Sequence, residues 1–207
     1  SLHGWHDSIA SESGESMKSQ YIIDGAMVRP LESLASNFAS SRYYDGKEII
    51  DRFENIETAQ GWINTMSREL SIWSPFQIDE KDLTVFQQLR ERIISLYSAR
   101  IDENEDAVKD TLSALTHSLK PQIHHLSVIQ MVNSLNSKHS IETPNQLVAL
   151  ISVSGALTIA GETGDRLRKC HAPHCVLFYT QNHSKQRWCS STCGNRSRVS
   201  RHYQNHK

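Results

Sequence analysis

Four cysteines lie within 24 residues near the C-terminus, Cys170, Cys175, Cys189 and Cys193, and the chain has no others. They read C-x4-C, thirteen intervening residues, then C-x3-C. Two close thiol pairs separated by a short span can deliver four soft thiolates to one tetrahedral Zn²⁺. His171 and His174 lie inside the first pair and His183 lies in the span, so a histidine can replace a cysteine. Four thiolates nonetheless complete a shell by themselves. A closed shell leaves no position for water, which makes the expected role of the metal structural and not catalytic. Clustered thiols also favour metal ligation in a reducing compartment over disulfides, and the expected location is the cytoplasm.

The segments around the pairs must bring them together. Ala172-Pro173 sits inside the first pair, where a tight knuckle is needed, and Val176 to Tyr179 can form the strand that follows. Ser190 or Ser191 can cap a helix that carries the second pair at its start. Knuckle, hairpin and helix in this order resemble a treble clef. A segment of this size has too little apolar surface to fold alone. Zinc ligation, about 10–16 kcal/mol in small finger peptides, is expected to supply what burial cannot.

Charge divides the chain at the same place. The net charge is −1, yet residues 166 to 207 hold nine Lys/Arg and no Asp or Glu, leaving 13 basic against 23 acidic residues before them. Such asymmetry suits a segment that meets a polyanion, or one that folds back onto the acidic body. At about 100° per residue, the helix after Cys193 separates into two faces. Cys193, Arg196, Val199 and Tyr203 are expected toward the metal and hairpin, with Arg196 bracing the module. Arg198, Arg201, His202 and Asn205 are expected toward solvent, where they suit contacts to phosphates and base edges. Arg166, Arg168, Lys169, Lys185 and Arg187 widen this candidate nucleic-acid surface.

The 38% hydrophobic content supports one or two domains. The longest apolar stretch, Leu147 to Ala160, is broken by Ser152, Ser154 and Thr158 and reads as a buried helix rather than a membrane span. The N-terminus begins at Ser1, as if processed or trimmed, and lacks the layout of a secretory signal. Residues 1–18 read as a flexible leader. Gln20 to Val28 predicts a strand pair turning at Asp24-Gly25. Pro30 is expected to open a helix through Leu34, Ala35 and Phe38, and Tyr44-Asp45-Gly46 to make a turn. Thr58 is expected to cap a helix bearing Trp62, Met66 and Leu70. Helices are predicted from about Glu80 to Ala99 and from Asn104 to Leu119. A β-hairpin is expected from Ile123 to Ile141, around Asn136-Ser137. Thr143-Pro144 starts a helix that runs to about Ala160, with Gly161 as a left-handed stop. The expected fold class is α+β: a mainly α-helical N-terminal domain with a short β-hairpin over 19–161, then a small treble-clef-like zinc finger over 166–207.

Arg187-Trp188-Cys189-Ser190 and Cys193-Gly194-Asn195-Arg196 resemble the signature of the CGNR zinc finger family, as does the Arg166-Leu167-Arg168-Lys169-Cys170 run. Upstream, the Leu34 to Arg42 segment, the Trp62 helix and the Leu89-Arg90-Glu91 helix are similar to the ABATE domain that precedes this finger in bacterial proteins. The resemblance implies Cys170, Cys175, Cys189 and Cys193 as Zn²⁺ ligands, with Trp188, Asn195 and Arg196 in structural roles. It also implies a stress-induced, DNA-binding transcription regulator. The body is then expected to sense a small-molecule effector or to form a homodimer. Where relatives read D-F-x-N-T, this chain has Asn37, Phe38, Ser40 and Ser41. The competing reading is a protein-interaction module whose finger docks an acidic partner. An enzyme is not expected: Asp45, Glu48, His124 and His125 sit in no spacing that defines a reaction, and neighbouring histidines in a strand point to opposite faces.

Overall fold

The computed structural model describes residues 20–73, 75–119 and 141–205. The expected leader over 1–18, the hairpin expected from Ile123 to Ile141 apart from Ile141 itself, and the pair His124 and His125 lie outside the described residues. No helix among the described residues is long and apolar enough to cross a membrane.

Asp24-Gly25 supplies two consecutive positive φ values, 48° and 75°, as a two-residue hairpin turn requires. It joins β1 (Tyr21–Ile23) to β2 (Ala26–Val28), with Ile22 opposite Met27. The next helix, α1 (Leu34–Ala39), starts later than Pro30. Ser33 is its N-cap, accepting from the Ser36 backbone at 3.1 Å, while residues 30–32 turn under Arg29. A second hairpin, β3 (Arg42–Tyr44) with β4 (Ile49–Asp51), surrounds the predicted turn. Asp45 caps that turn by accepting from the Lys47 and Glu48 backbones at 2.7 and 2.9 Å.

Helix α2 (Ile56–Leu70) is capped by Asn55, whose Oδ1 accepts from the Thr58 backbone at 3.0 Å. Thr58 therefore occupies the third helical position and is not the cap. In α3 (Glu80–Ile101) Asp79 and Asp82 form a reciprocal capping box, and Leu83, Phe86, Leu89, Ile93, Leu96 and Tyr97 face inward. Helix α4 (Glu105–Leu119) packs along α3, and α5 (Pro144–Thr158) has the Thr143 cap and Pro at its first position. Gly161, at φ 51°, adopts the left-handed conformation but opens the short α6 (Gly161–Asp165) instead of simply ending α5.

The core gathers round α3, which contacts α1, α2, α4 and α5. Phe38, Phe53, Trp62 and Phe86 form its aromatic centre, with ring centroids 5.3 to 6.1 Å apart in edge-on and tilted pairs. Asn37, Ser40 and Ser41 all make buried hydrogen bonds within the body. Asn37 accepts from the Arg29 backbone at 2.8 Å and its amide donates to the carbonyls of Arg29, Glu32 and Ser33. A carboxylate could not donate to any of them. Ser40 and Ser41 accept from Arg29 and Arg90, each at 3.0 Å, so both hydroxyls serve buried guanidiniums.

Arg90 is 1% exposed and grips Asp51 with two hydrogen bonds of 2.6 and 2.7 Å, fixing β4 to α3. Replacing Asp51 with alanine leaves that guanidinium buried without its partner, and chemical denaturation should show a loss of about 3–5 kcal/mol. Burial, the largest influence on the Asp51 carboxyl, pushes its pKa up. Hydrogen bonds and charge from Arg90, with the Phe53 amide and Arg42, outweigh burial and hold it below the usual carboxylate value. The pair's contribution is thus fully present above the unfolded pKa of about 3.9 and is lost as pH falls through the lower folded value. The Asp51→Asn protein should show a flatter acid limb in a stability–pH profile.

Candidate metal centre and its basic surround

Strands β5 (Leu167–Lys169) and β6 (Phe178–Thr180) pair antiparallel with Arg168 opposite Tyr179, and the first cysteine pair forms the connection between them. The knuckle is closed by the Cys175 amide donating to the Ala172 carbonyl at 3.0 Å, while the Cys170 amide donates to Leu177 at 2.9 Å. His174 takes a left-handed φ of 62° at the turn. The second pair arrives on α7 (Ser191–Asn205), where Ser190 Oγ accepts from the Cys193 amide at 3.3 Å as the cap.

The four sulfurs all lie within 4.8 Å of one another. Sulfurs bound at about 2.3 Å round a tetrahedral ion stand about 3.8 Å apart. Cys175–Cys189 measures 3.8 Å and Cys189–Cys193 3.5 Å, so the donor set fits a tetrahedral thiolate site. Among the described residues no histidine joins this group. His171 and His174 are exposed beside it, and His183 is exposed in the loop. Hydrogen bonds from Cys175, then Cys189 and Cys193, pull Cys170 far below the usual thiol range, while the Cys170 contact drives Cys189 upward. A divalent cation held by Cys170, Cys175, Cys189 and Cys193 would let all four ionise.

Further donors support the sulfurs. The Cys189 amide points at Cys170 Sγ at 3.5 Å, and Arg196 donates to Cys193 Sγ at 3.2 Å. Such contacts delocalise thiolate charge and orient the ligands. Arg196 also lies 4.7 Å from the centre of the Tyr44 ring, and Tyr44 stacks on His174 at 5.1 Å. The metal site is thereby tied to the β3–β4 hairpin of the body.

The body holds β6 as well. Leu167 and Phe178 belong to the main core, and Tyr97 meets Phe178 edge-on at 5.5 Å. Buried Arg29 donates to the Phe178 carbonyl at 2.6 Å, and Glu32 accepts from the Thr180 amide at 3.0 Å and its hydroxyl at 3.1 Å. Met27 and Tyr43 complete the apolar cluster round the cysteines.

Helix α7 turns a different face inward from the one its sequence predicts. Val199 and Tyr203 are 55% and 69% exposed, and the buried side instead runs through Cys193 and Gly194 toward the half-buried Ser197 and Ser200. The short β5–β6 hairpin gives the distal turns nothing apolar to cover. Gly194 packs closely on Trp188: a methyl there would come within 3.3 Å of the ring, so the indole would have to shift by a few tenths of an ångström. Asn195 is exposed and accepts from Arg198.

Two adjoining clefts flank Trp188. One, of ≈ 610 Å³, is bordered by Arg168, Lys169, Arg187 and Arg201, with Ser197 and Ser200 from α7, and no acidic residue lines it. The other, of ≈ 430 Å³, is bordered by Lys185, Arg187 and Arg198 beside Arg29 and Glu32. Six predicted contact residues are thus brought together, with Arg187 on both sides. His202 is exposed on α7 outside these linings, and the Asn205 side chain lies outside the described residues. Sequence reasoning missed Ser197, Ser200 and Gln186 as parts of the same surface. Only their helical or loop position next to the cysteines could have pointed to them.

The six cations share a further property. Among the described residues none of Arg168, Lys169, Lys185, Arg187, Arg198 and Arg201 has a carboxylate within 4.0 Å, whereas Arg29, Arg42, Arg68, Arg90 and Arg100 all do. No curated protein and no solved structure matches this chain. Residues 166–206, the segment that folds round the sulfurs, match the family model of the CGNR zinc finger, and they form a zinc-finger domain with four cysteines positioned for metal binding.

Proposed function

We propose that this protein is a zinc-dependent, DNA-binding transcription regulator. In this reading Zn²⁺ sits among Cys170, Cys175, Cys189 and Cys193 in a treble-clef-like module, and supplies the charge that four neighbouring thiolates require. The ABATE-like body senses an effector or dimerises, in line with the stress-regulator role that its resemblance implies. The observation that carries the nucleic-acid assignment is the set of six cations without carboxylate partners round two adjoining clefts. Surface arginines are ordinarily paired or dispersed. Six cations gathered with no carboxylate partner of their own create a positive potential that steers a polyanion.

The test is a filter-binding titration of the zinc-loaded protein against random and genomic duplexes at two salt concentrations. Each neutralised phosphate should lower log K by about 0.9 per tenfold rise in salt. Binding that is undetectable at low salt to duplex and single strand alike would overturn the assignment and favour the finger as a dock for an acidic protein.

A further inference from the structure

The arrangement of Trp188 between the clefts narrows the kind of nucleic acid beyond the DNA-binding reading, on which it rests. We infer that the finger seats an unpaired nucleotide on Trp188, and so binds single-stranded polynucleotide in preference to duplex. Trp188 is only half-buried although it adjoins the metal centre. Its ring is backed by Gly194, where a Cβ would come within 3.3 Å of Cε3. It also lines both clefts. An indole packed on Gly194 and bordering a cleft on each side is placed to serve as a stacking platform. A duplex keeps its base faces inside its own stack, so only an unpaired base can use such a ring.

The surroundings complete a strand-sized track. Arg168, Lys169 and Arg201 lie in one cleft and Lys185 and Arg198 in the other, with Arg187 shared at the ridge. A backbone crossing that ridge meets cations before and after the stacked base, as in grooves that hold single strands through charge and stacking together. The ≈ 610 Å³ cleft is large enough for a whole ligand unit. Ser197 Oγ, in a residue at its lining, is buried with no hydrogen-bond partner among the described residues. Gln186 is not offered as a base reader, because its amide is consumed by the Trp188 carbonyl and its oxygen by the Asn182 amide. Those bonds hold the ridge in shape instead.

Anisotropy titrations of the full zinc-loaded chain with labelled twenty-nucleotide oligo-dT, oligo-rU and a duplex of equal length would test this. Either single strand should bind about tenfold or more tightly than duplex. Trp188→Leu should weaken single-strand binding by roughly five- to a hundredfold, the range for loss of one base–aromatic stack. Trp188→Phe should retain most of it. Zinc content is measured for each variant. Oligo-dT should also quench a component of tryptophan emission that is absent from Trp188→Phe. Duplex binding equal to or tighter than single-strand binding would overturn this inference and leave the DNA-binding reading intact. Undiminished binding by zinc-loaded Trp188→Leu would overturn it too. Binding to none of the three would bring down both readings.

Discussion

Replacing Cys189 with serine is expected to abolish stoichiometric zinc binding and to unfold the second half of the finger while the body stays folded. Cys189 Sγ lies 3.8 Å from Cys175 Sγ and 3.5 Å from Cys193 Sγ, and the residue is buried. Structural zinc in small finger peptides contributes about 10–16 kcal/mol at neutral pH, far more than the small apolar cluster round the cysteines can replace. The loss should be uneven. Strand β6 is held by Arg29, Glu32 and the burial of Phe178, none of which involves the metal. Helix α7 has only its first turns against the body, and its distal residues are exposed. Hydrogen exchange should therefore show fast amides across residues 181–205 and retained protection at 178–180. Full protection of α7 in the zinc-free variant would show that packing, not ligation, positions it.

The second large effect is electrostatic. Reversing Arg187 and Arg201 together to glutamate should weaken oligonucleotide binding by roughly a hundredfold or more at low salt, and reduce the salt slope by about 2. Both residues are exposed, border the larger cleft and have no carboxylate partner among the described residues, so their replacement disturbs no internal ion pair. Zinc content should not change. Reversal of Lys109, a 71% exposed cation on α4, should leave affinity alone. Equal losses from both proteins would mean that bulk charge, not this surface, attracts the polyanion.

Much of the arrangement is written locally in the chain. The cysteine spacing identifies the metal site because thiolate ligation depends on few residues and short connections. Long helices were legible for a related reason: Leu83, Phe86, Leu89, Ile93, Leu96 and Tyr97 mark one face over several turns, and Thr143-Pro144 marks a start. The short elements were not. Three-residue strands such as β3 and β4 show too little alternation to be distinguished from the turn they flank. Cap choice between Asn55 and Thr58 depends on one hydrogen bond, which either side chain is equipped to make. The inward face of α7 was misjudged because Val199 and Tyr203 are its largest apolar residues, whereas ligation at Cys193 and the Gly194 contact with Trp188 set its rotation.

The docking of the finger was hidden for another reason. Arg29 and Glu32 reach Phe178 and Thr180 across almost 150 residues of sequence. No periodicity records such a pairing. The same holds for Arg196, whose contacts to Cys193 Sγ and the Tyr44 ring join the sulfur cluster to the body hairpin. The six clustered cations were legible as a compositional bias, but their division between two clefts on either side of Trp188 emerges only when β6, the loop and α7 are folded together.

Zinc titrated into the metal-free protein, with oligonucleotide binding followed by anisotropy at each addition, tests the link between metal and polyanion most directly. Binding should be weak without zinc, rise in step with tetrathiolate formation and saturate at one equivalent. A metal-free protein that binds the oligonucleotide as tightly as the loaded one would show that the cations need no metal to hold them in place.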